Sequence, residues 1–182
     1  MKSKNTKAIN IKSSEYEKLD KKIEYLINKL GNPKKEYVLD PELSEKFSLE
    51  YLNDEVLTEI AKDILRHCNT DEDISVKAIY YKDELKKNFY ENLSKTKLIL
   101  PIWYTQHSTP EDILADTILN CTLFFFGQYI YIKDNPKETI KMNYALAIFM
   151  GFYEYLINSE DINARFPAEY LYYVHRKIYN TP

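Results

Sequence analysis

The sequence predicts an α+β fold: a single, predominantly helical domain with a small sheet of two or three strands. Three observations predict it. Apolar residues recur at three- and four-residue spacing through most of the chain, the period of an amphipathic helix. Two short runs, ISVKAIYY (residues 74–81) and TKLILPIWYT (residues 96–105), are β-branched and aromatic in the manner of strands. The chain has 182 residues, 45% of them hydrophobic, which is enough for one sizeable core and too little for several.

The elements follow in order. Residues 1–12 read as a flexible basic tail, and residues 13–182 as one globular domain. Ser14 with Glu17 forms a capping box, and Leu19, Ile23, Leu26, Ile27 and Leu30 follow at helical spacing. Gly31 closes that helix and Pro33 prevents an immediate restart. A loop is expected around Pro41. Asn53 then caps a helix whose apolar face is Val56, Leu57, Ile60, Ala61, Ile64 and Leu65, ending near His67. The first strand covers residues 74–81. A short amphipathic helix, DELKKNFYENL, precedes the second strand. Pro101 belongs at that strand's edge or at a bulge, because it has no N–H for a ladder.

Thr109-Pro110-Glu111-Asp112 is a helix start: a cap, a proline in the first turn, and acids at the positive end of the helix dipole. Asn135-Pro136-Lys137-Glu138 repeats the signal. YALAIFMGFYEYLI is apolar nearly all round and reads as one helix at the centre of the core. PAEYLYYVHRKIY, beginning at Pro167, is the last helix. The C-terminal helices are expected to form the core under the sheet.

Composition excludes several functions. The formal net charge is −3, and only three of 25 basic residues are arginine (Arg66, Arg165, Arg176). Bidentate phosphate and base readout uses arginine forks, so a nucleic-acid partner is disfavoured. Three glycines leave no phosphate-cradling loop. Two cysteines, Cys68 and Cys121, make no disulfide framework and no zinc-finger spacing; they read as reduced residues on apolar helix faces, as in a cytosolic protein. The N-terminus has no apolar signal-peptide core. The run from residue 113 to 132 is interrupted by Asp116, Asn120 and Gln128, so it reads as a buried helix and not a membrane span. Seventeen tyrosines reflect either compositional drift, alongside abundant Lys, Asn and Ile, or binding faces that use an apolar ring with a polar tip.

The stretch DTILNCTLFFFGQY has the rhythm of a metalloprotease helix. Together with the preceding strand pair, the Pro-initiated helix and the late Pro-x-Glu segment, it resembles the small zincin-type metallopeptidases over residues 74–179. In that family the helix carries H-E-x-x-H: two histidines one turn apart bind zinc and the glutamate activates water. Here Asn120 and Phe124 stand at the histidine positions and Cys121 at the glutamate position. Arg165-Phe166-Pro167-Ala168-Glu169-Tyr170 looks like the segment that supplies the third ligand, with Glu169 retained. The resemblance implies a pseudo-enzyme scaffold, because one carboxylate does not replace three zinc ligands. It implies no metal and no cofactor.

The histidines do not restore a catalytic reading. His67 is adjacent to Cys68, but neighbours on a helix face different ways. His107 lies in a loop before a helix, and His175 is within one turn of Leu171 and Tyr172. A dyad of Cys121 with His107 or His175 is disfavoured, because a thiol within an apolar helix stays protonated. The acidic runs at residues 71–73 and 160–161 lack the spacing of a calcium loop. The lysines of the first helix alternate with acids, as on a solvated face.

The expected function is a non-catalytic, cytosolic protein-interaction module: an inhibitor or mobile-element accessory protein of anti-defence type. Its partner would be a protein, bound through Tyr104, Tyr129, Tyr131 and Tyr172, with self-association left open. The alternative is an enzyme or small-molecule sensor using a pocket near Glu169, Arg165 and His107.

Overall fold

The computed structural model describes residues 13–81, 98–127, 136–166 and 168–179. Its elements are α1 (Ser13–Leu30), α2 (Pro41–Glu50), α3 (Asp54–His67), β1 (Ile74–Tyr80), β2 (Leu98–Tyr104), α4 (Pro110–Phe126), α5 (Pro136–Phe149), α6 (Tyr153–Ile157), α7 (Glu160–Arg165) and α8 (Ala168–Tyr179). The fold is α+β and predominantly helical, with a two-stranded sheet. The tail expected over residues 1–12 and the helix expected between the strands lie outside the described residues.

Helix α1 buries Leu19, Ile23 and Leu26, the face its spacing predicts. It begins at Ser13, so Ser14 is already helical and is not the cap. Gly31 ends it at φ +82, where its N–H donates to the Ile27 carbonyl at 2.9 Å. That left-handed conformation is one glycine adopts without a Cβ penalty. The loop expected around Pro41 is helix α2. Asp40 caps it by accepting from the N–H groups of Glu42 (2.9 Å) and Leu43 (3.2 Å), and Pro41 occupies the first turn. Phe47 alone is buried from α2, so the periodicity there was too sparse to read. Asn53 caps α3 as expected, accepting from Glu55 and Val56, and all six predicted apolar residues are buried.

The strands pair in parallel, from Ile74 opposite Leu98 to Tyr80 opposite Tyr104. The Tyr81 N–H continues the ladder to the Tyr104 carbonyl at 2.7 Å. N–H groups alternate sides along a strand. The even-numbered donors of β1 therefore face away from β2, and α3 receives two of them. Val76 N–H donates to Thr58 Oγ1 (2.8 Å) and Ala78 N–H to Asp54 Oδ1 (2.8 Å). By the same alternation Pro101 occupies an outward-facing position of β2, where a missing N–H breaks no bond to β1.

The sheet rests on α3 and α4; α5 packs against α4, and α8 against α5. The support thus comes from α3 as well as from the C-terminal helices. In α5 every residue from Met142 to Phe149 is buried, which makes it the centre of the core. The single helix expected for YALAIFMGFYEYLI is two. Gly151 breaks it at φ +92, and a Cβ there would meet the Lys35 carbonyl oxygen at 2.1 Å. The segment from Pro33 to Tyr37 crosses at this point, its Lys34 and Tyr37 N–H groups bonding Phe149 O and Gly151 O, each at 2.9 Å. Among the described residues no helix is long and apolar enough to cross a membrane.

Candidate binding surfaces

β2 ends in Trp103-Tyr104 and β1 in Tyr80, with Tyr81 next; the parallel register sets Tyr80 opposite Tyr104, and Tyr81 reaches Trp103 diagonally. Tyr80 meets Tyr104 edge to face with ring centroids 5.4 Å apart, and Tyr81 meets Trp103 at 6.2 Å. Tyr80 is 36% and Tyr81 43% exposed, while Trp103 and Tyr104 are half-buried. The turn after β2 is held by Thr105 N–H donating to Ser108 Oγ (3.0 Å) and His107 N–H donating to Thr105 Oγ1 (3.2 Å). It leaves Gln106 and His107 exposed, their side-chain nitrogens 3.1 Å apart. Two expected residues, Tyr104 and His107, thus fall at the carboxyl end of a parallel sheet, where ligands of open α/β sheets gather. Tyr80, Tyr81 and Trp103 were not anticipated. Their signal was present in the doublets YY and WY, but only strand pairing brings these together.

A second cluster spans α4, α5 and α7. Asp112 is 3% exposed and fully engaged. It accepts from Thr109 N–H (3.0 Å), Thr109 Oγ1 (2.8 Å), Ser159 Oγ (2.7 Å) and Asp161 N–H (3.1 Å). Burial pushes its carboxyl upward, but these bonds outweigh burial and hold it below the ordinary range. One turn on, Asp116 has a carboxyl pushed up to about 6, mainly by burial. Arg165 opposes that rise, and the carboxylates of Asp161 and Asp112 add to it. Burial pushes the Tyr144 hydroxyl up, and the Arg165 charge opposes that rise as well.

The positions aligned with the metalloprotease motif are occupied as follows. The Asn120 amide donates to the Asp116 carbonyl at 2.8 Å. Cys121 is fully buried, and burial pushes its thiol up. Phe124 is 52% exposed. Glu169 is exposed at the start of α8, and among the described residues no hydrogen bond or ion pair joins it to Arg165 or His107. No three His, Cys, Asp or Glu among the described residues are grouped to hold a metal ion.

A third surface is a groove of about 480 Å³ between the Pro33–Glu36 segment, α6 and α8. Tyr153 stacks on His175 at 4.2 Å, and Tyr179 lies 4.9 Å beyond His175. On the same helix Tyr172 is exposed, with the Arg176 guanidinium 5.9 Å from its ring centroid. His67 is structural: its Nε2 lies 2.8 Å from the Met150 carbonyl oxygen, with Tyr37 and Phe152 against its ring. Tyr129 and Tyr131 lie outside the described residues.

The sequence matches no protein-family model, and neither a curated protein nor a solved structure matches it.

Proposed function

We propose that this chain is a non-catalytic, cytosolic protein-interaction module whose partner docks on the aromatic end of the sheet. The observation that supports this reading is the pair of edge-to-face ring contacts joining Tyr80 to Tyr104 and Tyr81 to Trp103, with Tyr80 and Tyr81 open to solvent. Tyrosine and tryptophan dominate the residues that carry protein–protein binding energy, because a large ring is ordered at small entropic cost. Here the rings already order one another, so a partner has little further ordering to impose. Gln106 and His107 supply polar contacts beside them. The finer proposal is an inhibitor or mobile-element accessory protein on a pseudo-metallopeptidase scaffold. It draws on the α4 rhythm, in which Asn120, Cys121 and Phe124 replace zinc-site residues.

The test uses the full chain as bait in extract from its native host, with Tyr81→Ala, Trp103→Ala and Tyr104→Ala alongside. A partner recovered by the wild type and depleted about tenfold or more by these variants supports the surface, since each ring is expected to contribute above ~1.4 kcal/mol. Undiminished recovery by all three variants would place the interface elsewhere. Elemental analysis complements this: one tightly held zinc per chain would overturn the pseudo-enzyme reading.

A second reading, a small-molecule sensor or enzyme, draws on the Asp116 carboxyl near neutrality beside Arg165 and Tyr144. Perturbed carboxyls of this kind mark functional sites as well as structural ion clusters.

A further inference from the structure

The groove between the Pro33–Glu36 segment and helices α6 and α8 is built firmly. Tyr179 Oη donates to the carbonyls of Lys34 (2.8 Å) and Ile148 (2.9 Å), tying the segment to the end of α5. Gly151 lets the same segment lie against the chain at a separation no side chain would permit. The aromatic wall and the charged wall therefore keep a fixed spacing without any ligand.

Both signs of charge meet on this groove. Lys34, Lys35, Glu36 and Glu154 all line it. Some lysines pair with acids, as Lys22 does with Glu138 and Lys77 with Asp54, and other charges stay solvated. Among the described residues, none of the four groove charges enters an ion pair. Two cations and two anions thus line the groove beside one row of rings.

We propose that this groove binds an aromatic zwitterion, that is, an aromatic ring bearing both an ammonium and a carboxylate, as in a free aromatic amino acid or a short aromatic peptide. The balanced rim selects against polyanions such as nucleotides, whose phosphates would gain two lysines but face two carboxylates. A zwitterion satisfies both signs at once: its carboxylate takes the Lys34 and Lys35 ammonium groups, and its ammonium takes Glu36 and Glu154. Its ring packs along the exposed parts of Tyr153 and Tyr179, which prefer offset or edge contacts. The volume suits a ligand of that size, since small-molecule sites start at roughly 300 Å³. This site is separate from the aromatic end of the sheet and does not depend on the function proposed for it.

Ligand-observed NMR and calorimetry on the full chain test the proposal with phenylalanine, tyrosine, a Phe-containing dipeptide, N-acetyl-phenylalanine, phenylalanine amide, alanine and adenosine monophosphate. Saturable binding of phenylalanine or tyrosine is expected, weakened about tenfold or more by acetylating the amine, by amidating the carboxylate, or by replacing the ring with a methyl group. Tighter binding of the dipeptide would assign the peptide as the source, and tighter binding of the free amino acid would assign the metabolite. Glu154→Gln and Lys35→Gln lie on the exposed rim, so the fold should tolerate both, and each is expected to weaken binding several-fold. No saturable binding by any aromatic zwitterion, preference for adenosine monophosphate, or affinity unchanged in both variants would overturn the proposal.

Discussion

Asp112 and Asp116 sit one turn apart on α4 and should respond to pH in opposite senses. Asp112 is held below the ordinary carboxyl range, so its contribution to stability is complete above the unfolded value of ~3.9 and is lost as pH falls through its folded value. Asp116 is raised to about 6, so its contribution is complete below ~3.9 and is lost as pH rises through 6. At pH 7 its buried charge is a cost. Asp116→Asn is therefore expected to stabilise the protein at pH 7 by up to about 2 kcal/mol, with the gain disappearing near pH 4. Asp112→Asn should destabilise by roughly 1–3 kcal/mol at pH 7, because buried donors from Ser159 and Asp161 lose a charged acceptor. Thermal melts of both variants at pH 4 and 7 check the pair of signs. A gain for Asp116→Asn that is equal at both pH values would refute the desolvation argument.

At the scale of elements, the small sheet survives because α3 supplies what a third strand would. Thr58 accepts from Val76 N–H and passes its own hydroxyl hydrogen to the Asp54 carbonyl at 2.7 Å. Asp54 accepts from Ala78 N–H and pairs with the Lys77 ammonium at 2.5 Å. These contacts shield one edge of β1, while Pro101 removes a donor from the outer edge of β2, a common means of blunting strand-to-strand aggregation. Thr58→Val keeps the shape and removes the acceptor. It should cost about 1–2 kcal/mol in denaturant unfolding and speed hydrogen exchange at the Val76 amide. Normal exchange there would mean that the hydroxyl contributes nothing. Gly151→Ala is the sharper change, since the new methyl meets backbone at Lys35 and the φ of +92 disfavours any side chain. A loss of at least ~2 kcal/mol is expected, together with loosening of the groove on α8.

For the molecule as a whole, one apolar cluster runs from Leu19 of α1 to Ile178 of α8, so the described elements share a single core. Its centre, α5, was legible because nearly every residue of YALAIF is apolar. So were the caps at Asn53 and Thr109, whose side chains act on their own helices within three residues. The strands were legible from β-branched content, though not their direction. Helix α2 escaped notice because its stability comes from an Asp40 cap and one buried phenylalanine, not from a periodic face. The candidate surfaces were only half visible. Tyr104, His107 and Tyr172 stood out as residues, but nothing in the sequence placed Trp103 beside Tyr81 or Tyr153 against His175.

The sequence by itself determined most local features: the helices with a periodic apolar face, where most of them begin, which faces turn inward, and that Pro101 must avoid a ladder position. These depend on side chains and backbone within a few residues of each other, so the information is contiguous. Tertiary structure alone decided that the strands run parallel, that Gly151 splits the C-terminal apolar run beneath residues 33–37, and that charges of both signs share a groove with a row of rings. Each of these joins residues far apart in the chain. They follow from the chain's closure around its core, which no local pattern records.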